Sequence, residues 1–191
     1  MSRLDVPVLL IIHRRAECTR RVFDAIAAAR PARLFIAADG PAGTRDRPLC
    51  EAARAVVERI DWDCDVSRDY SEPNVGFNAR VVSALRWTFA AAESAIVLED
   101  DCVPAPAFFT FCASMLDRYR DDSRVVHVSG ETYRAHRAGD SSYYFSKYPL
   151  AWGWATWRRA WARFDPALSS WPRFKGQPEA SALFDTADEE R

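Results

Sequence analysis

The chain lacks a charge excess: its 191 residues carry 26 Lys+Arg against 27 Asp+Glu, a formal net charge of −1. Wholesale nucleic-acid binding shows as a basic surplus and is thereby disfavoured, although one local basic pocket is still compatible with this balance. No apolar run reaches the ~20 residues a membrane helix needs. The opening MSRLDVPVLLII has a short apolar stretch, an Asp before it and no small-residue cleavage site. It reads as a first strand, not a signal peptide. The five cysteines (Cys18, Cys50, Cys64, Cys102, Cys112) are odd in number and form no C-x-x-C. Free or buried thiols in a reducing, cytoplasmic setting are expected. Neither G-x-G-x-x-G nor a P-loop occurs. Ser129-Gly130 is not part of a G-x-S-x-G elbow, so a hydrolase nucleophile has no support. His13, His127 and His136 have no metal-ligand spacing, and His127, inside an apolar stretch, reads as a core histidine.

What is present is an ordinary core-forming mixture. Hydrophobic residues make up 49% and charged residues 28%. A chain of this length buries roughly 70% of the surface its unfolded form exposes, enough to fold without staples. The run VPVLLII (6–12) has the continuous apolarity of a strand covered on both faces. ECTRRVFDAIAAAR (17–30) follows at helical period, with Val22, Ile26 and Ala29 on one stripe. ARLFIAADG (32–40) is a second buried strand. LCEAARAVVERI (49–60) is a helix with Ala53, Val56, Val57 and Ile60 inward. DCDVSRDY (63–70) is a weaker strand, and SEPNVG (71–76) a turn cluster. ARVVSALRWTFAA (79–91) is a helix, and AIVLE (95–99) the next buried strand. APAFFTFCASMLDRYRDD (105–122) is a helix with proline near its start, where a missing N–H matters little. RVVHVSG (124–130) and SYYFSKY (142–148) read as strands. From about residue 150 tryptophans crowd together, with ATWRRAWARF (155–164) read as a helix and SALFDTADEER (181–191) as a short acidic helix or frayed end. The alternation predicts one α/β domain over 1–191 with a mostly parallel sheet flanked by helices.

In such sheets ligands bind at the carboxyl ends of the strands. The first strand ends on His13, Arg14 and Arg15, the second on Asp39-Gly40, and the fourth on Glu99, Asp100 and Asp101. Three adjacent carboxyl groups disfavour each other's ionisation unless positive charge lies near. An extended backbone sends Glu99 and Asp101 to one side and Asp100 to the other. All-oxygen ligation suits Mg²⁺ or Mn²⁺, which often take one or two protein carboxylates and complete their shell with diphosphate and water. The plainer reading is a solvated acidic turn. Guanidinium geometry fits Arg14 and Arg15 to phosphate; a solvated basic turn is the alternative. Asp39 suits a base or ribose, or simply a turn, since Asp-Gly is a common turn pair. NVGFNAR (74–80) places Arg80 at a helix start beneath the same edge. The tryptophans read either as a small aromatic core or as a sugar-binding wall. For the wall, Trp152, Gly153 and Trp154 are the best candidates, because glycine lets a backbone approach a ligand.

Together these segments resemble the GT-A class of nucleotide-sugar glycosyltransferases, in particular a bacterial family-2-like group similar to the N-acetylglucosaminyltransferase I family. The resemblance spans nearly the whole chain and is carried by VPVLLIIHRRAECTRRVF, RPARLFIAADGP, CEAARAVVERIDWDCDV, NVGFNARVVSALRW, AIVLEDDCVPAPAFFTFCASMLDRYRDDSRVVHVSG and YPLAWGWATWRRAW. It implies a Rossmann-like GT-A sheet, with 1–130 binding metal and nucleotide sugar and 131–191 forming a Trp-rich, C-terminally incomplete acceptor side. Glu99-Asp100-Asp101 takes the place of the D-x-D motif. Asp101 is then the metal ligand (Mn²⁺ or Mg²⁺), Asp100 meets the ribose, and Glu99 sits by the donor sugar. Arg15 faces the nucleotide, Asp39 reads the base, and Arg80 lies beside the nucleotide. The implied activity is an inverting transfer from a UDP-sugar to a glycan or other hydroxyl acceptor. Relatives carry the general base in a Trp-Asp segment after the Trp-rich helix, and this sequence has none. Asp165, Glu179, Asp185, Asp188, Glu189 and Glu190 do not fit that pattern, so the base is expected to be absent. The alternative reading is a catalytically incomplete nucleotide-sugar-binding or partner-binding module. A nucleotidyltransferase usually carries a Gly-rich signature after its first strand, and HRRAECTR has no glycine.

Overall fold

The computed structural model describes residues 3–132, 141–181 and 183. β1 (Val8–Ile12) is buried along its whole length. Its even residues Val8, Leu10 and Ile12 join a core with Val22, Phe23 and Ile26 of α1 (Ala16–Ala29), Val56 of α2 (Arg47–Val56) and Phe108, Cys112 and Leu116 of α4 (Pro106–Arg118). Its odd residues Leu9 and Ile11 join a second core with Ala84, Leu85 and Phe89 of α3 (Phe77–Ala91). The period-2 alternation of a strand therefore feeds two cores, one on each face of the sheet, as its continuous apolarity requires.

β2 (Arg33–Ala38), β3 (Asp65–Tyr70) and β4 (Ser94–Glu99) run parallel to β1. The strand order is β3-β2-β1-β4-β6-β5, where β5 is Val128–Ser129 and β6 is Trp154–Trp157. The chain winds outward from β1 through β2 to β3, then returns to place β4 on the other side of β1. α3, the crossover that makes this return, packs on the opposite face from α1 and α2, as right-handed connections demand. The winding thus reverses between β1 and β4, and the crevice outside their carboxyl ends is the topological switch point where open α/β sheets bind ligands. β6 is antiparallel to both β4 and β5. β5 therefore points the same way as β4, and its carboxyl end reaches the same edge.

The structure departs from the sequence reading at the tryptophan-rich end. The expected helix over 155–164 begins as strand β6, and only Arg158–Trp161 (α5) is α-helical. Thr156 and Trp157 favour strand, and pairing them to β4 covers an edge that would otherwise be open. The expected strand over 124–130 contracts to Val128–Ser129. No strand forms at 142–148; instead Tyr143 and Phe145 pack edge-on against Tyr119 of the turn after α4. Short helices α6 (Trp171–Phe174) and α7 (Pro178–Ser181) follow, and the expected acidic segment beyond them lies outside the described residues, as does His136. All five cysteines are free. Among the described residues no helix is long and apolar enough to cross a membrane.

Candidate functional site at the β1–β4 switch point

Arg15 is the residue before α1, and its carbonyl accepts hydrogen bonds from the Thr19 N–H and hydroxyl, both at 2.9 Å. This fixes its backbone at the end of β1 and leaves the side chain to reach across to β4. There the chain turns at once: the Cys102 N–H donates to the Glu99 carbonyl at 3.1 Å. The turn overrides strand alternation, and Asp100 and Asp101 both meet Arg15 instead of pointing to opposite sides. One guanidinium nitrogen pairs with Asp100 and the other with Asp101 at 2.8 Å. Asp100 also accepts from the His13 N–H at 3.2 Å and is buried. Arg14 turns away to Asp46 at 2.8 Å.

The electrostatics follow from this placement. Asp100 first, through its hydrogen bond, and then the charge of both aspartates hold the Arg15 guanidinium firmly protonated. Glu99 is half-buried, and burial first, then the negative charge of Asp101 and Asp100, pushes its carboxyl above the usual carboxylate range, with Arg15 opposing. Burial first, then the negative charge of Glu99 and Asp101, pushes the Cys102 thiol up to about 11. At neutral pH it is a thiol and offers no thiolate chemistry.

Asp39 sits at the end of β2, buried. A carboxylate has about four acceptor sites, and all four are filled from within the chain. Oδ1 accepts from the Gly40 and Val75 N–H groups at 2.9 and 3.0 Å, and Oδ2 from the Gly76 N–H and the Asn74 amide at 3.0 Å each. The group expected to read a base is, in this conformation, the clamp of the loop before α3. Gly40 shows how tightly that loop is held, since a Cβ there would lie 2.3 Å from the Glu72 carbonyl oxygen. Arg80 is likewise inward. Its guanidinium donates to the Asp69 carbonyl at 2.5 Å and carboxylate at 2.8 Å, tying α3 to the end of β3. With 5% of its surface exposed, it does not face the open crevice.

A cleft of about 730 Å³ opens beside Asp101. Val103, Phe108 and Phe111 line it on the α4 side, and Glu131, Trp152 and Gly153 on the other. Gly153 has φ +76°, and its carbonyl accepts from the Gly130 N–H at 2.9 Å. A Cβ on Gly130 would lie 2.3 Å from the Phe108 ring, so the carboxyl end of β5 is pressed against α4. The tryptophan expectation divides here. Trp152 and Gly153 line the cleft, whereas Trp154 is half-buried in β6 and stacks on His127 with ring centroids 4.8 Å apart. Trp157 is core, its indole N–H donating to the Leu116 carbonyl.

His127 is satisfied as expected, its Nε2–H donating to the Leu150 carbonyl at 2.9 Å. Burial lowers its pKa below the ordinary 6.5. The folded chain therefore favours the neutral ring. That stabilisation is complete above the unfolded pKa and is lost as pH falls through the folded value. Wild type is expected to lose melting temperature below about pH 6.5 more steeply than His127→Gln, and thermal melts from pH 8 to 5 check this. Parallel curves for the two proteins would contradict it.

Glu131 is a cleft residue outside the motifs singled out in the sequence. Its Oε2 is buried without a hydrogen-bond partner among the described residues, although the residue lines the cleft. Leaving a buried acceptor unsatisfied in this way costs about 1–3 kcal/mol. The sequence signal was an acid directly after a strand and glycine, in VSGE, the same strand-end pattern that singled out Glu99–Asp101. Of the acids set aside earlier, Asp165 is absorbed by its own loop, accepting from the N–H groups of Ala167 and Ser169. Asp185, Asp188, Glu189 and Glu190 lie outside the described residues.

Among the described residues no three His, Cys, Asp or Glu side chains converge as a metal-holding group. Of the acids after β4, Asp101 is the one that reaches the cleft, where it is also paired with Arg15. Asp101 keeps 44% of its side chain exposed at the cleft, while Asp100 is committed to Arg15 and His13. One outward carboxylate is the contribution that Mg²⁺ or Mn²⁺ often takes from protein when phosphate oxygens supply the rest.

No protein-family model matches the chain, and no curated protein does. Among solved structures, 4-diphosphocytidyl-2C-methyl-D-erythritol synthase from Anaerococcus prevotii aligns over 91% of this chain and 85% of its own, with TM-score 0.46 and 9% sequence identity. A likeness that slight carries no argument about activity.

Proposed function

We propose that the chain binds a nucleoside-diphosphate sugar, UDP-linked, at the β1–β4 switch point and transfers the sugar to a hydroxyl acceptor as a metal-dependent, inverting glycosyltransferase of the GT-A type. The observation that carries this reading is the bridge from Arg15 to Asp100 and Asp101, with Asp101 opening onto the adjoining cleft. Arg15 brings a fixed positive charge to the place where a diphosphate would lie, and the N–H groups at the start of α1 favour an anion at the same edge. Asp100, buried, holds Arg15 and the end of β1 in register. Asp101 and the diphosphate would hold Mn²⁺ or Mg²⁺ between them. Such an ion acts as a Lewis acid that stabilises negative charge on a departing diphosphate. Glu99, half-buried at the end of β4, suits a donor-sugar hydroxyl. Trp152 offers an apolar ring to the C–H face of a pyranose. Asp39 and Arg80 act indirectly, by holding the loop and helix that border the crevice.

UDP and Mn²⁺ together are expected to raise the melting temperature. Saturation at a hundredfold over Kd stabilises by about 2.7 kcal/mol, which for a chain of this size is roughly 5–10 °C. Thermal shift measurements with each component alone and both together test this. No shift with any nucleoside diphosphate and metal would overturn the reading.

A further inference from the structure

We infer that Glu131 is the general base that deprotonates the acceptor hydroxyl, an inference that rests on the donor-binding reading above. Three independent features meet at this residue. It follows β5, whose direction brings its carboxyl end to the same edge as the end of β4. It lines the cleft that Asp101 and Trp152 also line. And its Oε2 is buried with no hydrogen-bond partner among the described residues. Asp100, Asp39 and Asp69 at this edge are engaged, by Arg15 and His13, by four donors and by Arg80 respectively, while Glu99 and Asp101 belong to the donor side of the reading above. A hydroxyl entering the cleft is the donor that Glu131 lacks. The apolar side chains of Val103, Phe111 and Trp152 around it suit the C–H surface of a sugar, so the acceptor class is a carbohydrate hydroxyl.

The step balances without an added reagent. The acceptor O–H proton passes to the Glu131 carboxylate as the acceptor oxygen bonds to the anomeric carbon. The bond from that carbon to the diphosphate oxygen breaks, and its electron pair leaves with the nucleoside diphosphate. The proton on Glu131 then goes to water. This carboxylate lies before the Trp-rich segment, whereas the resemblance put the base well after it.

The test uses the full chain and needs no identified acceptor, because water is the simplest hydroxyl. Binding of UDP with Mn²⁺ is measured by thermal shift for wild type, Glu131→Gln and Glu131→Ala. Release of UDP from UDP-glucose, UDP-galactose and UDP-N-acetylglucosamine is followed in parallel. Both variants are expected to keep the UDP–Mn²⁺ shift while donor turnover falls by about 10²–10⁴-fold, the usual range for a lost general base. The acidic limb of the pH–rate profile should vanish in Glu131→Gln, and formate should partly restore turnover to Glu131→Ala. Turnover by Glu131→Gln within about threefold of wild type, with the acidic limb intact, would overturn the assignment. So would a wild type that binds UDP and Mn²⁺ yet releases nothing from any of the three donors. A wild type that shows no UDP–Mn²⁺ shift would instead overturn the donor-binding reading beneath it.

Discussion

Asp101→Ala is expected to remove the Mn²⁺ dependence of UDP binding and to cut donor turnover by at least about 10²-fold. Lewis-acid stabilisation of a leaving diphosphate supplies several kcal/mol, and each ~1.4 kcal/mol is a factor of ten. The fold should survive the change. Asp101 is exposed, its ion pair with Arg15 is solvated, and such pairs contribute about 0–1 kcal/mol. The variant should therefore melt close to wild type without ligand and separate from it only when UDP and Mn²⁺ are added. Asp100→Ala is the contrasting control. It removes a buried partner of both Arg15 and the His13 N–H, so it should lower the melting temperature before any ligand is present. If Asp101→Ala keeps a full metal-dependent shift, Asp101 is not the ligand.

Asp39→Ala carries the second large effect, on stability. The substitution strands three backbone N–H groups, of Gly40, Val75 and Gly76, and the Asn74 amide beside the buried end of β2. Hydrogen bonds to a charged group contribute about 1.5–3 kcal/mol each. They are not additive when they share one carboxylate, and loop relaxation lets some donors reach water. A loss of about 3–5 kcal/mol is expected, or roughly 10 °C in melting temperature. Asp39→Asn should fall between, because its amide oxygen still accepts while its NH₂ opposes N–H donors from which a carboxylate oxygen accepted. Urea denaturation of the three proteins measures this. A midpoint for Asp39→Ala within experimental error of wild type would show that the loop does not depend on this clamp.

Much of the frame was legible in sequence because it is written in periodicity. Five consecutive buried residues in β1, and the helical stripes that run through Ile26 and Val56, have one reading. The site was legible to the extent that strand ends announce it: Arg15 and the acids after β4 do meet. What sequence could not supply was the geometry beyond each strand end. The turn that closes at Cys102 decides that Asp100 and Asp101 share one guanidinium. Only the folded loop shows that Asp39 is saturated by donors 35 to 37 residues away. The Trp-rich end misled for a different reason. Trp154–Trp157 has no strand pattern of its own strong enough to outvote the Arg-rich helical run after it, and its pairing to β4 is a tertiary event. Glu131 follows a strand that the sequence does announce; only the fold shows that its Oε2 ends up buried beside the cleft.

The central claim is that a diphosphate and a divalent ion occupy the crevice between the ends of β1 and β4. A crystal structure with UDP and Mn²⁺, phased to show the anomalous signal of manganese, tests it most directly. The account predicts the metal peak against the Asp101 carboxylate, with the diphosphate between it and the start of α1. Manganese and UDP bound together elsewhere on the sheet, with Asp101 still paired only to Arg15, would contradict it.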